Sequence, residues 1–247
     1  MTTMNHNLTT PAGANGEWIG GEPRVLVFDV NETLIDFESM NPLFEKIFGD
    51  ARVMREWLGH LIMYSMTITL SGLWEGYFTL GQGLLKMVGN IHGVQVSDDD
   101  IEEIGQAMLT MPAHPDVEEG LTRLRDAGYR LVTLTNSPVN PSGQSPLEHA
   151  GLAPYFERQF TVESVRAYKP APQVYHLVAQ ELAVPPSTCF MVACHVWDTV
   201  GAQSAGYTAG LITRPGNSPL PVASLPQPNL VAPDLPGLAD QLIQRWR

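Results

Sequence analysis

The stretch Arg24-Val-Leu-Val-Phe-Asp29-Val30 decides the fold. An apolar run without alternation marks a strand covered on both faces, as in a parallel sheet with helices on either side. The run stops on an acid. A buried strand that ends in Asp29 delivers a carboxylate to the carboxyl edge of its sheet, where open α/β sheets bind their ligands.

Working outward, the same texture returns downstream. Tyr129–Thr135, Thr188–Cys194 and Tyr207–Ile212 read as buried strands, and Gln159–Val162 as a brief one. Between them lie helical patterns: Asp116–Ala127 stopped by Gly128, Pro146–Ala150 stopped by Gly151, Gln173–Leu182, and Asp198–Ala205 ending at Gly206. Strands alternating with helices imply right-handed crossovers and a Rossmann-like doubly wound parallel sheet. Pro215–Pro236 reads as an irregular wrap before a final helix over Leu238–Trp246.

From residue 39 to 112 the rhythm is different. Met54, Trp57, Leu58, Leu61 and Ile62 recur at helical spacing, and Ser97 with three following aspartates caps a helix that runs to Leu109. The α/β core, 23–38 and 113–247, therefore carries an inserted helical cap subdomain, 39–112, and residues 1–22 read as a flexible leader. That leader has no apolar core of a secretory signal. Trp57–Trp74, the most apolar stretch, reads as a buried helix of a soluble domain rather than a membrane span. A cytoplasmic protein is expected.

Composition narrows the partners. In 247 residues, 14 Lys+Arg stand against 26 Asp+Glu, a net charge of −12. Nucleic-acid binding needs clustered cations to neutralise phosphate, so the acidity argues against that class. A small anionic substrate is not, because one buried cation dominates the field inside a cleft. The two cysteines, Cys189 and Cys194, sit five apart on one strand and face opposite ways, which fits neither a disulfide framework nor a zinc site.

The carboxyl ends of the core strands collect the polar residues. Asp29 to Thr33 follow the first strand, Thr135-Asn136-Ser137 the second, and His195 to Asp198 the third, while Lys169 stands before Pro170. Parallel strands bring such ends to one edge. In Val27-Phe-Asp29-Val-Asn-Glu-Thr33-Leu, Leu134-Thr-Asn-Ser137, Tyr168-Lys169-Pro170 with Tyr175, and Trp197-Asp198, the chain resembles the haloacid dehalogenase superfamily. Within it, the cap position and the Lys-Pro and Trp-Asp segments are most similar to the type II, L-2-haloacid dehalogenases.

That resemblance implies a mechanism and its residues. Asp29 attacks C2 of a short 2-haloalkanoic acid, displaces halide and forms an ester that water then hydrolyses to a 2-hydroxy acid, one hard step split into two. Arg55, with Arg52 as the alternative three residues away, stabilises the departing halide. Asn136 donates its amide to halide or substrate. Thr135 and the backbone around Val30 and Asn31 hold the substrate carboxylate, and Thr33 belongs to the same lining. Lys169 orients Asp29 and balances its charge; Asp198 holds Lys169 or polarises water; Tyr175 and Trp197 support the pocket. The resemblance further suggests a homodimer through cap and core surfaces.

Two places depart from the pattern of these dehalogenases: Asn31, where an aromatic residue is usual, and Ala193-Cys194-His195. Asn31 stands where phosphatases of this superfamily carry an acid that shuttles protons, a task an amide cannot perform at neutral pH. Ala193-Cys194-His195 replaces a Ser-x-Asn pattern, and His195 is open to three readings: a replacement donor, a base for ester hydrolysis, or a structural histidine. With Asp29 and Asp198 as the acids available, the site is short of the oxygen ligands magnesium wants. The expectation is a dehalogenase without metal or other cofactor; a magnesium-dependent phosphohydrolase and a non-catalytic binding module are the alternatives.

Overall fold

The computed structural model describes residues 22–138 and 145–246; nearly all of the leader read at 1–22 lies outside them. Six parallel strands form one sheet in the order β3-β2-β1-β4-β5-β6. They are β1 (Val25–Phe28), β2 (Arg130–Thr135), β3 (Arg158–Thr161), β4 (Cys189–Ala193), β5 (Thr208–Ile212) and β6 (Leu230–Ala232). The first crossover runs from β1 out to β2 and β3, and the chain then returns to the other side of β1 through β4. The strand order therefore reverses at β1, and Asp29 stands where the two halves part, the usual place for a ligand in such sheets. All four β1 residues are fully buried, and Asp29 still donates its backbone N–H to the Val192 carbonyl at 3.0 Å.

Helices cover the sheet. After β1 the chain leaves for four helices, α1 (Asn41–Phe48), α2 (Val53–Leu70), α3 (Tyr77–His92) and α4 (Asp98–Leu109). A reciprocal capping box between Ser97 and Asp100 starts α4, as the acid run after Ser97 predicts. Two neighbouring chain crossings join this helical segment to the sheet: Asp36 donates its N–H to the Pro112 carbonyl, and His114 donates to that of Leu34. The remaining helices are α5 (Val117–Asp126), the single turn α6 (Pro146–His149), α7 (Pro172–Glu181), α8 (Val196–Ser204) and α9 (Leu235–Trp246). No helix among the described residues is long and apolar enough to cross a membrane.

Three sequence expectations need correction. The Pro-rich stretch is not irregular throughout, because Leu230–Ala232 pairs with Gly210–Ile212 as an edge strand. The last helix begins at Leu235, three residues early: proline is tolerated in a first turn, where its missing N–H would have no partner. Helix α8 likewise starts at Val196, with His195 in extended conformation as its N-cap, so Asp198 lies inside the first turn rather than at its first position.

Close approach at the site depends on one glycine. A Cβ on Gly201 of α8 would lie 2.5 Å from Pro170 Cβ and 2.7 Å from the Tyr175 hydroxyl. The bare backbone there lets the Lys169–Pro170 turn and α7 press against α8, which closes the distance between Lys169 and Asp198.

Candidate active site

Lys169 is the hub. Its ammonium donates to Asp29 Oδ1 at 2.7 Å, to Asp198 Oδ2 at 2.7 Å and to the Leu134 carbonyl at 2.9 Å, with a side chain 0 % exposed. All three donor hydrogens are thus used, and residues from the ends of β1 and β2 and from the first turn of α8 are tied to one atom. Asn136 holds the lysine from behind: its Oδ1 accepts the Lys169 backbone N–H at 3.0 Å. A buried cation between two carboxylates is tolerable because each charge keeps a partner.

The two carboxyls are held differently. Asp29 gains a second donor, Thr33 Oγ1 to Oδ2 at 2.7 Å, and His195 Nδ1 lies 3.5 Å from the same oxygen. Burial works to raise its pKa, but Lys169 and then His195 outweigh that and hold it well below the usual carboxylate range. Asp29 is therefore an ionised, desolvated carboxylate. Asp198 is pushed the other way, upward, because full burial and the neighbouring Asp29 charge exceed what Lys169 returns. Its Oδ1 accepts the Tyr175 hydroxyl at 2.6 Å, and burial beside that carboxylate keeps the phenol protonated.

The turn after β1 supplies the next layer. Thr33 Oγ1 also accepts the Cys194 N–H at 3.0 Å, so this hydroxyl is spent on fixing the Asp29 carboxylate. Arg214 clamps the turn from outside, donating to the Thr33 carbonyl and to Asp116 at 2.7 Å. Asn31 donates to Ser137 Oγ at 3.1 Å, and Thr135 Oγ1 accepts the Ser137 N–H at 3.1 Å. Asn31 and Ser137 then line a cleft with Phe78 and Met108 of the helical segment. Val30 is buried in the same turn.

Arg55 and Arg52 separate cleanly. Arg52 has a side chain 90 % exposed and pairs with Asp50, so it is no part of the cluster. Arg55, half-buried, reaches inward to Glu32 and Glu38 and donates to the Pro215 carbonyl at 3.1 Å. Its guanidinium is engaged by carboxylates rather than open to the cleft.

Sequence reasoning missed Glu32. It is buried, its φ is +62°, and Oε2 bonds His195 Nε2 at 2.6 Å. Trp197 stacks on the His195 ring, centroids 5.0 Å apart, and lies 5.6 Å from the Lys169 ammonium. Glu38 and Arg214 were missed too. The one available signal for Glu32 was an acid inside a turn between buried apolar residues; the histidine it meets is 163 positions away.

A cation has poor terms here. Asp29, Cys194 and His195 bring ligand atoms within 4.8 Å of one another. Burial pushes the Cys194 thiol up, however, so the soft ligand stays protonated, and both Asp29 oxygens already face donors. A hard ion such as magnesium wants several free oxygens, which this set does not offer.

Comparison with known proteins fits this arrangement. A family model described as haloacid dehalogenase-like hydrolase matches residues 23–206. The (S)-2-haloacid dehalogenase H-109 of Pseudomonas putida is 26 % identical over 194 residues, covering 77 % of this chain and 86 % of that one. The (S)-2-haloacid dehalogenase 1 of Pseudomonas sp. (strain CBS-3) is 28 % identical over 225 residues, covering 90 % and 98 %. Among solved structures, L-2-haloacid dehalogenase from Xanthobacter autotrophicus with chloropropionic acid covalently bound superposes with a TM-score of 0.79. It covers 90 % of this chain and 98 % of that one at 21 % identity, a likeness of fold.

Proposed function

The chain belongs to the haloacid dehalogenase-like hydrolases, and from that premise we propose that it hydrolyses short 2-haloalkanoic acids to 2-hydroxy acids through an ester on Asp29. The observation that carries this reading is the state of Asp29. It is ionised, nearly dry and oriented through both oxygens at the sheet edge, in the turn whose Asn31 lines a cleft with Phe78 and Met108 of the helical segment. A carboxylate is a weak nucleophile in water; desolvation and orientation are what activate one. The curated relatives are named as (S)-2-haloacid dehalogenases, and one similar structure holds chloropropionic acid covalently.

In this reading an Asp29 oxygen attacks C2 of the haloacid, the carbon–halogen bond breaks, and halide leaves. Lys169 keeps the nucleophile ionised and aimed, while Asp198, held by Tyr175, keeps Lys169 charged and fixed. The amide hydrogens of Asn136 and the backbone around Val30 and Asn31 receive the anionic groups, with Thr135 beside them. Arg55 is paired with Glu32 and Glu38, so it stabilises the departing halide only where substrate displaces one of those carboxylates from the guanidinium. Apolar Phe78 and Met108 exclude water from the first step. Asn31 at the second position after the nucleophile donates to Ser137 and has no proton to shuttle, which disfavours phosphate-ester hydrolysis.

The test is halide release from chloroacetate, bromoacetate and L-2-chloropropionate, with and without excess chelator. Release that persists in chelator, and one heavy oxygen entering the Asp29 peptide during single turnover in labelled water, is the expected result. Label passing straight to product, or release that chelator abolishes, overturns the mechanism.

A further inference from the structure

The pair formed by Glu32 and His195 is more than the alkylation step requires. Glu32 holds a left-handed backbone, φ +62°, that a non-glycine residue adopts at a cost and glycine adopts freely. It is also a buried acid, which costs more unless the charge is partnered. Both costs are met for one side chain, and that side chain spans two cations: Oε2 faces His195 Nε2 at 2.6 Å, and Oε1 accepts from Arg55. Its backbone carbonyl is fixed as well, bonded to His114 Nε2 at 2.9 Å. The other end of the imidazole, Nδ1, points to Asp29 Oδ2 at 3.5 Å, and Trp197 covers one ring face.

We propose that Glu32 is a positioning residue which fixes the proton of His195 on Nε2 and aims Nδ1 at the Asp29 carboxyl, making His195 the proton acceptor for hydrolysis of the Asp29 ester. The inference rests on the ester reading above and assigns its second half. The step balances. Water oxygen bonds to Asp29 Cγ while one water proton passes to His195 Nδ1. The tetrahedral intermediate collapses, the ester C–O bond breaks, and the 2-hydroxy acid leaves with the proton returned by His195. Asp29 is left as the free acid and loses its proton to solvent.

The charges around the ring explain why a base becomes available only when it is needed. His195 faces Asp29 and Glu32 from the turn after β1, the Cys194 sulfur from the end of β4, and the neutral Trp197 ring from α8; Arg55 of α2 stands behind Glu32. Burial by itself would lower the imidazole pKa, but the bonds to Asp29 and Glu32 oppose burial and hold it above its ordinary value. Before reaction the ring is therefore an imidazolium beside two carboxylates. Forming the ester removes the Asp29 charge, the imidazolium loses one of those carboxylates, and Nδ1 can release its proton and accept another from water.

The experiment uses rapid-quench turnover of chloroacetate by the full chain, with halide and the mass of the Asp29 peptide read together, for wild type, Glu32→Gln, Glu32→Asp and His195→Gln. Expected for Glu32→Gln and His195→Gln is a fast burst of one halide per chain followed by turnover slowed about 10²-fold, with the Asp29 adduct accumulating. Glu32→Asp should recover part of the rate. In Glu32→Gln the pH dependence of the slow step should move to lower pH, because one carboxylate no longer supports the imidazolium; in His195→Gln that dependence should vanish. A wild-type rate in Glu32→Gln, an unmoved pH profile, or a burst lost in parallel with turnover overturns the proposal while leaving Asp29 as nucleophile. Absence of any halide release by wild type sinks the ester reading and this inference together.

Discussion

Replacing Lys169 with methionine leaves Asp29 and Asp198 facing one another inside the protein with no cation between them. The ammonium contacts each carboxylate at 2.7 Å from a fully buried position. Removing one partner of a buried ionic cluster costs about 3–5 kcal/mol at neutral pH, since the remaining charge is neither hydrated nor paired. At about 2–4 °C per kcal/mol for a chain of this size, Tm should fall by roughly 6–20 °C. The pH dependence supplies the sharper criterion. In wild type the folded Asp29 pKa lies below its ordinary 3.8, so its contribution is present above that value and is lost only as pH falls through it. Wild type should therefore change little through this group between pH 5 and 8. In Lys169→Met the native carboxyls, buried without a cation, lie above their unfolded values; their penalty grows as pH rises and shrinks as pH falls. Thermal unfolding followed by circular dichroism at pH 5 and pH 8, both proteins side by side, checks this. A Tm loss under about 2 °C, equal at both pH values, would refute the picture of a charged buried hub.

Three further outcomes follow from the geometry. Arg52→Ala should change stability by no more than about 0.5 kcal/mol and leave turnover intact, as expected for an exposed pair, whereas Arg55→Ala should slow halide release by about 10²-fold or more; parallel kinetic and melting measurements distinguish them. Tyr175→Phe removes the donor to Asp198 Oδ1 and should cost roughly 1–3 kcal/mol in denaturant unfolding, because the buried carboxylate oxygen is left without its hydroxyl. Gly201→Ala drives a methyl group into Pro170 and the Tyr175 hydroxyl, and should destabilise by about 1–3 kcal/mol while lowering activity through the displaced Lys169.

Much of this molecule is written locally in its sequence. Five of the six strands and the helices around them announce themselves because buried parallel strands are apolar runs and helices carry caps and terminating glycines; β1 and α4 are the clearest cases. The sixth strand does not, since three residues at a sheet edge have no period to detect and stand among prolines. The site divides in the same way. Asp29, Asn136 and Lys169 stand at strand ends or in turns, and Asp198 and Tyr175 in the first turns of the helices that follow, where topology converges them. Glu32 and Arg214 escape notice because their meaning lies in partners far along the chain, His195 and Thr33. The choice between Arg52 and Arg55 was equally beyond reach: three positions on a helix place both near the same face, and only the carboxylates opposite decide which turns inward.

The lysine hub also has a consequence for a chain emerging from the ribosome. Asp29 is made 140 positions before Lys169, and Asp198 follows another 29 later. Until that last segment is synthesised and docked, the aspartate is an ordinary hydrated acid, harmless to any electrophile it meets. Under the proposed mechanism, reactivity is thereby deferred to the finished protein, and a nascent or truncated chain carries no armed nucleophile.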